Sequence, residues 1–274
     1  MRDLDLIVFG ATGFTGRLVA EAILEFPEPG LRWAIAGRSQ KKLEDVRSAL
    51  AERFPEAQDL PLLVADVTKP ETMDDLARRA RVVCTTVGPF TVLGDALVQA
   101  CVRHGTDYCD ITGEVGWMRS VIDAHHNEAV DKKCRVVHAA GFDSIPFDLG
   151  VVVAQKAAVA KWGAPAERIR TVTGRMSGAL SGGTLASMAL IMDSARRDRS
   201  VLRQLANPYV LVPGGSGPDR NDSRRVEHWP EHKVWTAPFI MAGCNTRIVR
   251  RTHALLGMPW GDAFSYTEAM GTGR

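Results

Sequence analysis

The sequence predicts an α/β fold, with a doubly wound parallel sheet in the first half of the chain and a second α/β domain after it. Three observations carry this. Short, uninterrupted apolar runs recur through the first half, segments of helical spacing separate them, and a cluster of glycines follows the first run directly. Continuous rather than alternating apolar strands belong to a parallel sheet covered on both faces. The intervening helices provide the long crossovers that parallel strands require.

The elements follow in order. Residues 4–9 form the first apolar run, ending at Gly10. Residues 14–26 have helical spacing, with Leu18, Ala22 and Phe26 on one stripe, and Pro27, Pro29 and Gly30 close that unit. A second run spans 33–36, and a charged helix over 40–53 follows it. Residues 62–65 are the third run, ending at Asp66, and 82–87 the fourth, ending at Gly88-Pro89. A short extended piece at 108–111 and a run at 135–140 come next, with helices over 91–104 and 116–132 between them. Right-handed crossovers wind such strands into a Rossmann-type sheet, which we assign to residues 1–148.

After residue 148 the rhythm changes. Residues 149–162 read as a long helix, 168–176 as a strand through Ile169 and Val172, and 183–198 as a helix. Residues 213–232 are rich in Gly, Pro, Asp and Arg without an apolar period, so they read as a mobile excursion, loosely tied to a core. Residues 238–256 read as a further helix and 263–266 as a strand. Residues 149–274 are thus expected to be a second domain for substrate binding or dimerisation, incomplete at its C-terminus.

Composition narrows the functional classes. The chain has 274 residues, 45% of them apolar and 24% charged, which excludes wholesale disorder and fibrous structure. Thirty-four basic against 32 acidic residues leave a net charge of +2. That balance argues against a nucleic-acid partner. The basic runs Arg78-Arg79-Ala80-Arg81 and Arg196-Arg197 read as solvated helix ends. Five cysteines, an odd number without CxxC spacing, and no secretory signal at the start point to a reducing, cytoplasmic setting. His125 and His126, adjacent on a helix, diverge, so no metal site is expected. No apolar stretch reaches the ~18 residues of a membrane span. Peripheral membrane association stays open.

The strongest motif is Gly10-Ala-Thr12-Gly13-Phe14-Thr15-Gly16, placed between the first strand and the first helix. Glycines let the backbone turn sharply and approach a pyrophosphate, and the helix start supplies free N–H groups and a positive dipole end. At the second strand tip, where NAD-binding chains carry an acid, this chain has Arg38, with Ser39, Lys41 and Lys42 behind it. A guanidinium suits a 2′-phosphate, so the expected cofactor is NADP(H). Asp66 and Val67 at the third tip are placed against the adenine. Gly88, Pro89 and Phe90 at the fourth are placed against the nicotinamide side.

Several chemistries are missing. None of Tyr108, Tyr209 and Tyr266 has a lysine four residues later, so the Tyr-Lys dyad of short-chain dehydrogenases is absent. Ser144 lacks a GxSxG elbow.

The ordered set Gly10–Gly16, Ala36-Gly-Arg38, Val87-Gly-Pro-Phe90, Tyr108-Cys-Asp-Ile-Thr-Gly-Glu114, Gly141-Phe-Asp-Ser-Ile-Pro-Phe-Asp148 and Ser181-Gly-Gly-Thr184 resembles the saccharopine dehydrogenase-like oxidoreductases. Within that family it most resembles the branch of the mycobacterial trans-acting enoyl reductases. The resemblance implies a Rossmann domain and an inserted α/β domain in a chain longer than this one. It also implies NADPH-dependent reduction of a carbon–carbon double bond on a polyketide or acyl chain held by a carrier protein, in lipid assembly. For that reaction Asp143, Ser144 and Tyr108 are the candidate catalytic groups, because the turn over 141–147 follows a strand tip and is expected beside the nicotinamide. Helix capping and turn formation for Asp143 and Ser144, and a core position for Tyr108, are the structural alternatives. Ser181, Gly182, Gly183 and Thr184 are candidates for binding substrate at a helix start. Two rival functions stay open. One is a non-catalytic NADP-sensing or scaffold protein. The other is an imine or carbonyl reductase, which requires an anion pocket with paired arginines. A homodimer is also open.

Overall fold

Six strands lie side by side in parallel in the computed structural model: β1 (Leu4–Phe9), β2 (Trp33–Gly37), β3 (Leu62–Val64), β4 (Ala80–Thr85), β5 (Asp107–Asp110) and β6 (Val136–Val137). Their spatial order is β3-β2-β1-β4-β5-β6. The order reverses between β1 and β4, which is where such sheets open a ligand crevice. In register, Phe9 stands opposite both Ala36 and Thr85. All six carboxyl ends therefore lie along one edge.

The connecting helices are α1 (Phe14–Glu25), α2 (Gln40–Ala51), α3 (Pro70–Arg79), α4 (Phe90–Leu93), α5 (Asp95–His104) and α6 (Val115–Lys132). Alternation of strand and helix buries the sheet as its apolar runs require. Ala20, Leu24, Leu43, Val46 and Leu50 of α1 and α2 pack with Val8 and Ile35 in one core. At about 25 cal/mol per Å² of apolar surface removed from water, such burial is the main stabilising term. The fourth run begins at Ala80 and ends at Thr85, two residues earlier at each end than its apolar stretch suggests.

The structure describes residues 2–174, 182–220, 222, 225–231 and 233–273. The chain divides into two units. One comprises Met1–Thr112 and Ser120–Ala140, the other Gly113–Arg119 and Gly141–Arg274. The division falls at 140/141, before the first helix of the second half begins.

The second unit contains α7 (Ile145–Trp162), β7 (Arg168–Thr173), α8 (Gly182–Arg197), α9 (Arg199–Ala206), β8 (Glu227–Trp229), β9 (Val234–Pro238), α10 (Ala242–Leu255) and β10 (Ser265–Gly273). Its four strands follow the order β7-β10-β9-β8, with β10 parallel to β7 and antiparallel to β9. Val151, Val249, Trp260, Phe264 and Tyr266 form its core. The ring of His253 stacks on Trp260 at 4.8 Å.

Two expectations are corrected here. The helix read over 238–256 begins at Ala242, and a strand precedes it. Within that strand Trp235 faces out and Thr236 in, a period-two signal that Pro238 obscures. The excursion over 213–232 is not loosely attached where it is described. Asp219 ion-pairs with Arg250 at 2.7 Å, Asp222 pairs with Arg247 at 2.6 Å, and Trp229 is buried. Its polarity serves buried ion pairs, which a sequence pattern reads as solvent exposure. Among the described residues, no helix is long and apolar enough to cross a membrane.

Candidate functional site

The carboxyl edge of the six-stranded sheet collects the groups that the sequence singled out in the first unit. The chain leaves β1 at Phe9 and turns at Gly10, whose φ of +95° lies in the region that favours glycine. A Cβ there would meet Thr86 Oγ1 and Val87 Cγ2 at 2.8 Å. The amide of Gly13 donates to Gly10 O at 2.9 Å, which closes the turn just ahead of α1. Gly16, in the first turn of α1, is the tightest of the three. Its Cβ would stand 2.2 Å from Gly10 O. The helix thus begins directly on the loop, with the exposed Gly13 at its cap position. The first amides of α1 have no partner within the helix. A backbone cradle that side chains would fill, under a helix start, fits a dinucleotide pyrophosphate. Thr12 and Thr15 are half-buried beside it, and Phe14 is 77% exposed.

Arg38 projects from the tip of β2 and is exposed, as is Lys42. Ser39 caps α2, its Oγ accepting from the Lys42 amide at 3.4 Å. Asp66 stands past the tip of β3. Its Oδ1 accepts from the Thr68 amide at 3.0 Å and from the Thr68 hydroxyl at 2.9 Å. Those bonds, with a smaller contribution from the positive charge of Arg38, hold its carboxyl below the usual range. Val67 follows, half-buried. An acid therefore does lie near Arg38, supplied by the third strand tip rather than the second.

Past β4, Gly88 and Pro89 are half-buried, and Gly88 lies against its neighbour's ring, with a Cβ position 3.2 Å from Phe90. Phe90 itself is only 5% exposed at the start of α4. It packs as a core residue in this unit.

One cluster escaped the sequence reading. Asp110 ends β5 with its side chain fully buried. Its Oδ2 accepts from the Tyr108 hydroxyl at 3.0 Å and lies 2.7 Å from His138 Nδ1. Its Oδ1 accepts from the amides of Thr112 and Ala139 at 3.0 and 3.1 Å. The signal for half of this was present, since Tyr108 and Asp110 share one face of a strand by period two. The other half needed β6 in register beside β5, where Tyr108 pairs with Val136. Burial pushes the Tyr108 hydroxyl well above its ordinary value. Tyr108 occupies a core position, and its hydroxyl is engaged by Asp110.

In the second unit Asp143 is exposed and Ser144 is buried. Ser144 holds the cap position of α7 without a side-chain cap bond. Its hydroxyl donates instead to Asn245 Oδ1 at 2.7 Å. Capping by its side chain therefore does not hold for Ser144, whereas its backbone does form a turn, the amide donating to Gly141 O at 3.1 Å. Asp148 accepts from Thr252 at 2.8 Å, and burial pushes its carboxyl up. Gly182 opens α8, of Gly183 and Thr184 only the helical backbone is described, and Ser181 lies outside the described residues.

Residues 6–138 match the family model of the saccharopine dehydrogenase NADP binding domain. Over 280 residues the chain is 44% identical to a Mycobacterium tuberculosis (strain H37Rv) protein provisionally named a trans-acting enoyl reductase, covering 99% of this chain and 66% of that protein. It is 40% identical over 282 residues to the trans-acting enoyl reductase of Mycobacterium leprae, covering 100% of this chain and 66% of the relative. The chain thus spans just under two thirds of the length of the curated relatives it matches. Among solved structures, saccharopine dehydrogenase from Saccharomyces cerevisiae superposes on 62% of this chain and 34% of that one, with a TM-score of 0.47 and 17% identity, a likeness too remote to add to the assignment. Residues 6–138, with their glycine cradle and 3-2-1-4-5-6 sheet, are thus similar to the saccharopine dehydrogenase NADP binding domain.

Proposed function

We propose that this chain is the NADPH-binding part of a trans-acting enoyl reductase acting on thioester-linked acyl or polyketide chains, presented on a carrier protein. What supports the class is identity of about two residues in five with the Mycobacterium leprae enoyl reductase across the whole chain. What supports a nucleotide cofactor is the glycine cradle at the strand-order reversal.

In this reading Gly10, Thr12, Gly13, Phe14, Thr15 and Gly16 hold the pyrophosphate. Arg38 and Lys42 hold the 2′-phosphate, with Ser39 fixing the start of α2. Asp66 and Val67 lie on the adenine side, and Gly88 and Pro89 on the nicotinamide side. When bound, NADPH supplies a hydride to the β-carbon of the enoyl thioester. The negative charge that develops on the thioester oxygen needs N–H donors, and the amides opening α8 at Gly182 and Gly183 suit that task. A proton must then reach the α-carbon to give the saturated thioester. Of the three candidate polar groups, Asp143 is the one whose side chain is exposed, and we assign it to the reaction face.

The test follows NADPH absorbance after addition of an enoyl thioester, free and on a carrier protein. Oxidation with a one-to-one yield of saturated thioester is expected. Tight NADPH binding without oxidation by any enoyl thioester would leave a cofactor-sensing protein. Oxidation by imines or ketones alone would leave the small-substrate reductase.

A further inference from the structure

The second unit contains a chain of five polar side chains, four of them buried and Thr171 half-buried, drawn from four elements. It starts at the Ser144 hydroxyl, ahead of α7, which donates to Asn245 Oδ1 on α10 at 2.7 Å. Asn245 Nδ2 donates to Glu268 Oε2 on β10 at 3.1 Å. The Tyr266 hydroxyl lies 2.9 Å from Glu268 Oε1 and 3.1 Å from Thr171 Oγ1 on β7. Ser144, Asn245, Glu268 and Tyr266 are all 3% exposed or less.

A buried polar chain of this length costs desolvation and returns specificity only if every member is satisfied. Here it has one unusual member. A serine at a helix cap normally accepts from an amide two or three residues on. Ser144 forgoes that bond and ties the start of α7 to α10. The segment it anchors is a tight turn, closed by the Ser144 and Ile145 amides donating to Gly141 O at 3.1 and 3.0 Å. Two side chains stand out from that turn, Phe142 at 82% exposed and Asp143. Three residues of chain separate the end of β6 at Val137 from Gly141. This buried polar network thus ends on the turn that holds the candidate reaction-face carboxylate.

We propose that Asn245 and Glu268 are positioning residues, which act through Ser144 to hold the 141–144 turn and set the direction of Asp143. The inference rests on the reading of Asp143 as part of the enoyl reductase site. The chain keeps its heavy-atom contacts in either protonation state of Glu268. Ionised, Glu268 accepts from Tyr266. Neutral, it donates to Tyr266, whose own proton then goes to Thr171. Asn245 donates to the other carboxyl oxygen throughout. Burial, which raises the Glu268 carboxyl to about 7, is consistent with such a two-way arrangement. Glutamine has the same pair of functions, one acceptor for Asn245 and one donor for Tyr266.

The experiment compares Asn245→Ala, Glu268→Leu and Glu268→Gln in two measurements on the whole chain. In NADPH oxidation with an enoyl thioester, Asn245→Ala and Glu268→Leu should lower kcat by about 10- to 100-fold, with the NADPH dissociation constant unchanged. Glu268→Gln should restore most of that loss. In hydrogen exchange, the amides of residues 141–147 should open at least about tenfold faster in the first two variants and near the wild-type rate in the third. If the wild-type chain has no enoyl reductase activity, the functional reading fails, and the exchange measurement alone decides the positioning. Unchanged exchange over 141–147 in Asn245→Ala overturns the proposal. So does a kcat loss in Glu268→Gln equal to that in Glu268→Leu.

Discussion

Arg250 Nε donates to Asp219 Oδ2 at 2.7 Å, and both side chains are nearly sealed from solvent, at 3% and 6% exposure. Asp219 also accepts from the Ser265 hydroxyl at 2.5 Å, while Arg250 donates to Tyr266 O at 3.0 Å. The aspartate comes from a Gly- and Pro-rich stretch that looks like a surface loop, and its partner comes from α10. The pair therefore closes the excursion onto the start of β10. Asp219→Ala leaves a buried guanidinium without its counter-charge, a defect that typically costs about 3–5 kcal/mol. Chemical denaturation should show the second unit losing stability on that scale. NADPH affinity, a property of the first unit, should not change. A loss under 1 kcal/mol would mean that the excursion is held by other contacts.

Gly16 should tolerate a side chain less well than Gly13. An added Cβ stands 2.2 Å from Gly10 O at the first position and 3.3 Å at the second. Gly16→Ala must push α1 off the loop, at roughly 1–3 kcal/mol for an overpacked contact, and should weaken NADPH binding as well as the fold. Gly13→Val should leave the fold intact and weaken cofactor binding alone. Thermal melts and fluorescence titration of the two variants separate these outcomes. Equal melting temperatures would disprove the steric order.

Arg38 should select NADPH over NADH. A charge-assisted hydrogen bond contributes about 1.5–3 kcal/mol, or roughly 10- to 100-fold in affinity. Arg38→Asp should invert the preference, helped by repulsion between the new carboxylate and both the phosphate and Asp66. Dissociation constants for the two cofactors, taken at one salt concentration, test this. An unaltered ratio in the variant would remove Arg38 from the site.

Glu268 should give the second unit a pH-dependent stability. Its carboxyl is raised from an ordinary 4.5 to about 7, chiefly by burial, with a lesser repulsion from Asp222 set against attraction from Arg250. The neutral form is the one the folded state prefers. Its stabilising contribution is complete below about 4.5 and is lost as pH rises towards about 7, amounting to about 3 kcal/mol. Glu268→Gln should flatten that slope and stabilise the chain at pH above about 7. Urea midpoints for both proteins across this range provide the measurement. Identical slopes would show that Glu268 titrates normally.

The strands and the glycine loop of the first unit are legible in the sequence. Those strands are apolar throughout because both faces are covered, so they are legible one residue at a time. The glycine motif is legible for a related reason: loop, turn and helix start are neighbours in the chain, and Gly10, Gly13 and Gly16 act on one another across six residues. Arg38 could be read because a strand tip is a local position. What the tertiary structure decided is every pairing across distance. Tyr108 proves to be a core residue only once His138, 30 residues on, is brought to Asp110 by the register of β5 and β6. Ser144 turns from a helix cap into an anchor because Asn245, 101 residues away, offers its carbonyl. Asp219 looks like loop solvent exposure until Arg250 covers it. Apolar burial leaves a periodic trace along the chain, because each residue meets the same interior. A buried polar group leaves none, since its cost is cancelled by one specific partner whose place is fixed only when the sheets are assembled.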